Sequence, residues 1–225
     1  MKEYTLMQRR EFSQAALSAA TLAGLSAALP VTAHAQGKPP TEGIDYLQLD
    51  KPAPVDAAAD KVEVVEFFWY SCPHCNSFEP QFDAWAKKAA KDVAVRRVPV
   101  SFRPDFEPQQ RLYYVLEALG KVDALHKKVF YAIHVDKQAL NTADLVAVWA
   151  EKQGINKVKF VELYNSFPVN LKARKATQLQ DAFKVDGVPA LGVAGRYYTS
   201  GSLAGTMERA LTVTDHLIML ARKGK

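Results

Sequence analysis

The stretch that decides the fold is Val62-Glu63-Val64-Val65-Glu66-Phe67-Phe68-Trp69-Tyr70-Ser71-Cys72-Pro73-His74-Cys75. Its first nine residues are mostly β-branched or aromatic, the pattern of a buried strand. The next five carry a C-x-x-C pair into a stretch of helical character that runs to about residue 91. Residues 93–100 form a second strong strand pattern. A strand, a helix and a strand in that order predict a parallel βαβ unit. Cys72 then sits where the strand ends and the helix begins. Pro73 suits the first helical position, because its φ is preset and its missing N–H would have had no helical partner.

That placement has chemical consequences. The thiolate is the reactive form of cysteine, and unpaired N–H groups at a helix N-terminus stabilise it. Cys75 falls one turn in and is expected to be the more buried, resolving sulfur. His74 lies between the two and further favours the Cys72 thiolate, by charge or by a hydrogen bond. A stable thiolate is a good leaving group, so a Cys72–Cys75 disulfide should oxidise other thiols readily. These are the only cysteines among 225 residues. So short a loop adds little stability, which points to chemistry rather than bracing. The competing reading is a zinc site, but four ligands are needed and there is no second C-x-x-C or H-x-x-x-H pair.

Outward from this centre, residues 46–49 make a short strand candidate, with Pro52 and Pro54 breaking the chain after it. From about residue 107 to 183 no strand pattern is found. Leu112, Val115, Leu116 and Leu119, then Leu125, Val129, Tyr131 and Ile133, then Leu145, Val148 and Trp149, then Phe160, Leu163, Tyr164 and Phe167 recur at helical spacing. Four or five helices are expected, one starting near Asn141 or Thr142. Residues 188–194 return to strand character, Gly195-Arg196 reads as a hairpin turn into Tyr197-Tyr198, and a last helix is expected over about 203–222. The fold class is therefore α/β: a thioredoxin-like core over 44–104 and 184–225, with an inserted helical subdomain over 105–183.

Lys2, Arg9 and Arg10 followed by an uncharged stretch ending in Ala33-His34-Ala35 read as a signal peptide over 1–35. Arg9-Arg10 leaves both the Sec and the twin-arginine route open. Either leads to a compartment where disulfides persist, the periplasm. The net charge is +5, but the basic residues are scattered. Pairs such as Lys87–Lys88, Arg96–Arg97 and Lys127–Lys128 read as solvated surface, and no nucleic-acid partner is expected.

The strand-and-tetrad stretch, together with Gly187-Val188-Pro189-Ala190, resembles the active-site region of the bacterial DsbA family, and the order of elements extends the likeness over nearly the whole chain after residue 35. The resemblance implies a protein dithiol oxidase needing no bound cofactor. It implies that Cys72 exchanges with the substrate cysteine. It implies that Pro189 is a cis-proline facing the disulfide, with Val188 beside it where an extended substrate would pair. Glu66 matches the family's partly buried acid, expected to have a raised pKa and to exchange protons with Cys75. The partners so implied are folding exported proteins with free thiols and a DsbB-type quinone-linked membrane oxidase; a monomer is expected. Disulfide isomerase or reductase activity is the nearest alternative, and a zinc- or peptide-binding module a more distant one. Glu79 is read as electrostatic trim on the helix, Trp69 and Phe68 as core, and His126, His134 and His216 as isolated structural or surface residues.

Overall fold

A computed structural model describes residues 38–224; the signal-peptide reading of residues 1–35 falls outside them. A five-stranded mixed sheet carries the molecule, in the order β1-β5-β4-β2-β3. Its strands are β1 (Leu47–Gln48), β2 (Val62–Phe68), β3 (Val93–Pro99), β4 (Ala190–Val193) and β5 (Tyr197–Ser200). The expected parallel pair is β2 with β3, joined by helix α1 (Pro73–Lys88). On the other side β2 meets β4 antiparallel, and β4 turns into β5.

β2 is an inner strand, flanked by β4 and β3, and every one of its residues is buried, so both of its faces are covered. Val62 and Val64 pack with Phe78 and Phe82 of α1 and with Val213, Leu217 and Ile218 of the C-terminal helix α8 (Met207–Lys223). Val65 and Phe67 pack on the opposite side, in a core shared with Leu112, Val129, Trp149, Phe160 and Phe183. Those residues come from the segment between β3 and β4, which holds a 3-10 turn (Pro104–Phe106) and five helices: α2 (Glu107–Ala118), α3 (Val122–His134), α4 (Ala143–Lys152), α5 (Lys157–Tyr164) and α6 (Phe167–Ala182). Thr142 caps α4, its side chain accepting from the Leu145 N–H.

Two expectations need correction. The final helix is two: α7 (Gly201–Ala204) ends at Gly205, which has φ +87, and Thr206 caps α8 by accepting from the Arg209 N–H. The left-handed backbone breaks the helix and the threonine restarts it. The β4–β5 turn spans residues 194–196, taking in the expected Gly195-Arg196 and leading into Tyr197. Ala194 and Gly195 both have positive φ, and a Cβ on Gly195 would lie 2.4 Å from the Ala53 carbonyl oxygen. Arg96 and Arg97 are not a solvated pair. Arg96 bridges Asp56 and the buried Glu63, and Arg97 faces Glu66 directly across the β2–β3 pair. Like-charged neighbours on a strand point to opposite faces, and each here meets an acid on its own face.

Candidate active site

Cys72 is the N-cap of α1, with extended backbone, and Pro73 takes the first helical position. The Cys72 Sγ accepts the Cys75 N–H at 3.4 Å. Its thiol is lowered to a pKa of about 6. The leading cause is the hydrogen bond from the Cys75 side chain; the Cys75 and His74 N–H groups come next, and the His74 charge last. Burial works against all of these. Helix position therefore contributes as expected, but the partner thiol contributes more. Cys75 is pushed the other way, well above the ordinary thiol range, by burial and by the neighbouring Cys72. At neutral pH the reduced pair is thus a thiolate at Cys72 and a thiol at Cys75.

Both cysteines are free in this structure. The Val188–Pro189 bond is cis, and the Val188 carbonyl oxygen lies 3.3 Å from the Cys72 Sγ. The loop before β4 is thereby brought against the nucleophile from more than a hundred residues away. His74 and Pro73 are exposed. His74, Val188 and Pro189 share a cavity of about 390 Å³ with Tyr198, Gly201, Thr206 and Met207. So Cys72, His74, Val188 and Pro189 form one mouth, open to an incoming chain.

Beneath lies a second layer. Glu66 is 1% exposed. Burial pushes its carboxyl up to about 8, Arg97 opposing and Glu79 adding to the effect. The Arg97 Nε stands 3.1 Å from Glu66 Oε2 but off the hydrogen-bonding direction, so neither atom has a hydrogen-bond partner among the described residues. Glu66 also acts electrostatically on Cys75. It does not reach solvent as a strand-edge glutamate would.

Glu79 is not surface trim. It is buried, accepts the Arg97 guanidinium at 2.9 and 3.2 Å, and lies 3.3 Å from the His126 Nε2. His126 is likewise not isolated: its Nδ1 is 2.8 Å from the Tyr70 hydroxyl. His134 Nε2 reaches the Tyr70 carbonyl at 2.8 Å. Gln109, from α2, clamps the residue before the nucleophile, accepting the Ser71 N–H at 3.1 Å and donating to the Ser71 hydroxyl at 2.6 Å. Trp69 stacks on Phe106 with centroids 3.8 Å apart. None of these long-range partners leaves a local spacing signal. A buried acid at Glu79 could have been suspected from the flanking Phe78 and Phe82 alone. Among the described residues no three His, Cys, Asp or Glu side chains gather to hold a metal ion.

The chain matches the DSBA-like thioredoxin domain family over residues 63–210. It is 42% identical over 218 residues to the thiol:disulfide interchange protein DsbA of Bordetella bronchiseptica, covering 96% of this chain and 100% of that protein. It is 38% identical to the DsbA of Pseudomonas aeruginosa, over 82% of this chain and 87% of that protein. In three dimensions it is similar to the crystal structure of Pseudomonas aeruginosa DsbA, with a TM-score of 0.77 at 37% identity, covering 82% of this chain and 95% of that one. It is also similar to reduced DsbA1 of Neisseria meningitidis, with a TM-score of 0.72 at 28% identity, covering 84% and 98%.

Proposed function

The chain belongs to the DSBA-like thioredoxin domain family and is a thiol:disulfide oxidoreductase; from that membership we propose that it is an exported dithiol oxidase of the periplasm, passing a Cys72–Cys75 disulfide to folding proteins that carry free thiols. A client thiolate attacks the Cys72 Sγ. The Cys72–Cys75 bond breaks, a client–Cys72 bond forms, and Cys75 leaves with the electron pair and takes a proton from Glu66. The client's second thiolate then attacks its own sulfur in the mixed disulfide, and Cys72 departs as a thiolate. The client ends with a disulfide and the enzyme with two electrons more. A DsbB-type quinone-linked membrane oxidase is the proposed acceptor of those electrons. The signal peptide over 1–35, the core over 44–104 and 184–225, the insert over 105–183 and a monomeric state belong to the same reading.

The observation that carries the direction of transfer is the Cys72 thiol, lowered to about 6 at the head of α1. Every unit of lowering favours thiolate over thiol by about 1.4 kcal/mol. That stabilises the reduced enzyme and drives the disulfide outward. Pro73 and His74 leave the sulfur approachable, and the Val188 carbonyl with Pro189 offers an edge along which an extended client could lie. A glutathione redox titration tests the reading. The expected result is a potential well above that of glutathione; one at or below it would assign the protein to the reducing side of the family chemistry.

A further inference from the structure

Five side chains from four elements and one loop form a linked group, buried except for the partly exposed Arg97: Tyr70, His126, Glu79, Arg97 and Glu66, the last joined by the off-axis ion pair. Two carboxylates there share one guanidinium, so the group is electrically balanced when it holds one extra proton. Where that proton resides matters, because Glu66 acts on Cys75. We propose that His126, held by Tyr70, is a positioning residue that keeps the shared proton on Glu66 by donating a hydrogen bond to Glu79. This rests on the reading of Glu66 as proton donor to Cys75.

The geometry assigns the donor. His126 is 4% exposed and enclosed by the rings of Phe68, Tyr113 and Phe130. Burial lowers its pKa, so it is neutral, with one N–H and one lone pair. The Tyr70 hydroxyl, pushed well above the ordinary phenol range by burial, keeps its proton. Donating to the His126 Nδ1 at 2.8 Å, it leaves the N–H on Nε2, aimed at Glu79 Oε2. The opposite tautomer would set a nitrogen lone pair against a carboxylate oxygen. Glu79 therefore accepts from two donor groups, the Arg97 Nη2 shared between its two oxygens and the His126 Nε2, whereas Glu66 has only the off-axis Arg97 contact. The carboxylate with more donors ionises more readily, and the proton goes to the other.

The charged and titratable groups facing His126 are Tyr70 beyond β2, Glu79 on α1, Arg97 on β3, Tyr113 on α2 and Lys127 on its own helix. Those facing Glu66 are Arg97 and Glu79, with Cys75, Tyr70 and Tyr113 in electrostatic reach. Of these, His126 is the one that donates to a single carboxylate and has no direct bond to the other.

Carbon-13 NMR of protein labelled at the glutamate carboxyls tests this in the reduced state. Glu66→Gln and Glu79→Gln assign the two resonances. In the unaltered protein Glu66 is expected to titrate above neutrality. In His126→Leu its midpoint should fall by about one pH unit, roughly a tenfold loss of proton affinity. His126→Gln, which keeps an N–H donor, should restore most of the difference. Should His126→Leu fail to fold, Tyr70→Phe frees the tautomer and should lower the Glu66 midpoint by a smaller amount. An unchanged Glu66 midpoint in a folded His126→Leu, or in Tyr70→Phe if that is the variant that folds, overturns the role of His126. Glu66 titrating with ordinary carboxylates in the unaltered protein would instead overturn the reading of Glu66 on which it rests.

Discussion

The two sulfurs stand 3 residues apart in sequence, yet they belong to different media. Cys72 meets the mouth, where His74 and Pro73 are exposed and the Val188 carbonyl is its close neighbour. Cys75, 1% exposed, meets the underside, within electrostatic reach of Glu66. The same hydrogen bond between them lowers one thiol and raises the other. One turn of helix thus separates a group built to carry charge from a group built to carry a proton. The contrast teaches that the asymmetry of a dithiol comes from its surroundings, since the two side chains are chemically identical.

The most severe way to break the contrast is to remove the charged sulfur. Cys72→Ser should abolish client oxidation, by at least three orders of magnitude in rate, because an alkoxide is not accessible at neutral pH. Mixed disulfides trapped with a thiol peptide should disappear with it. Cys75→Ala keeps the nucleophile but deletes the strongest donor to it. The pH midpoint of Cys72 alkylation, expected near 6 in the unaltered protein, should then rise by roughly one unit. A midpoint that stays near 6 would return the leading role to the helix N–H groups.

The underside can be broken separately. The Glu66 carboxyl is raised in the folded protein, to about 8 from 4.5. The native state therefore binds more protons than the unfolded chain between those values. Its contribution to stability is complete below the unfolded value and is lost as pH rises through the folded one. Glu66→Gln should abolish that slope, leaving the variant more stable at pH 7 by on the order of 2 kcal/mol, as urea melts at several pH values would reveal. Cys72 has the opposite sign. Its folded pKa is depressed, so the thiolate stabilises the reduced form above about 6 and that support is lost as pH falls through it. The reduced protein should thus outlast the oxidised one in denaturant at pH 7, by a margin that shrinks towards pH 5.

How much of this contrast is visible in the sequence depends on distance along the chain. The mouth is mostly local: Cys72, Pro73, His74 and Cys75 are consecutive with the strand that delivers them, and Pro189 is added by likeness to a family pattern. The strand β2, its parallel partner and the all-helical stretch also follow from periodicity. The underside does not. Arg97 reads as half of a surface pair because strand alternation says which face a residue takes but not what fills the opposite layer. Glu79 and His126 lie 47 positions apart, and nothing local to either announces the other. Gln109 is a further example: its two hydrogen bonds to Ser71 span 38 positions. It fixes the backbone before the nucleophile from the helical layer. Gln109→Ala should cost about 1–3 kcal/mol, the penalty for leaving the Ser71 N–H without its acceptor.

The smallest effect is expected at the most conspicuous residue of the motif. His74 sits between the cysteines, where a charge is well placed to act on the thiolate. It is exposed, however, and its charge is the least of the influences acting on Cys72; its backbone N–H matters more. His74→Ala keeps that N–H and deletes only a solvent-screened charge. The alkylation midpoint should therefore rise by only a few tenths of a unit, less than in Cys75→Ala. The mouth variant would leave the thiolate nearly intact while the underside variant weakens it. A larger rise for His74→Ala than for Cys75→Ala would reverse that order and make the mouth, not the partner sulfur, the seat of the asymmetry.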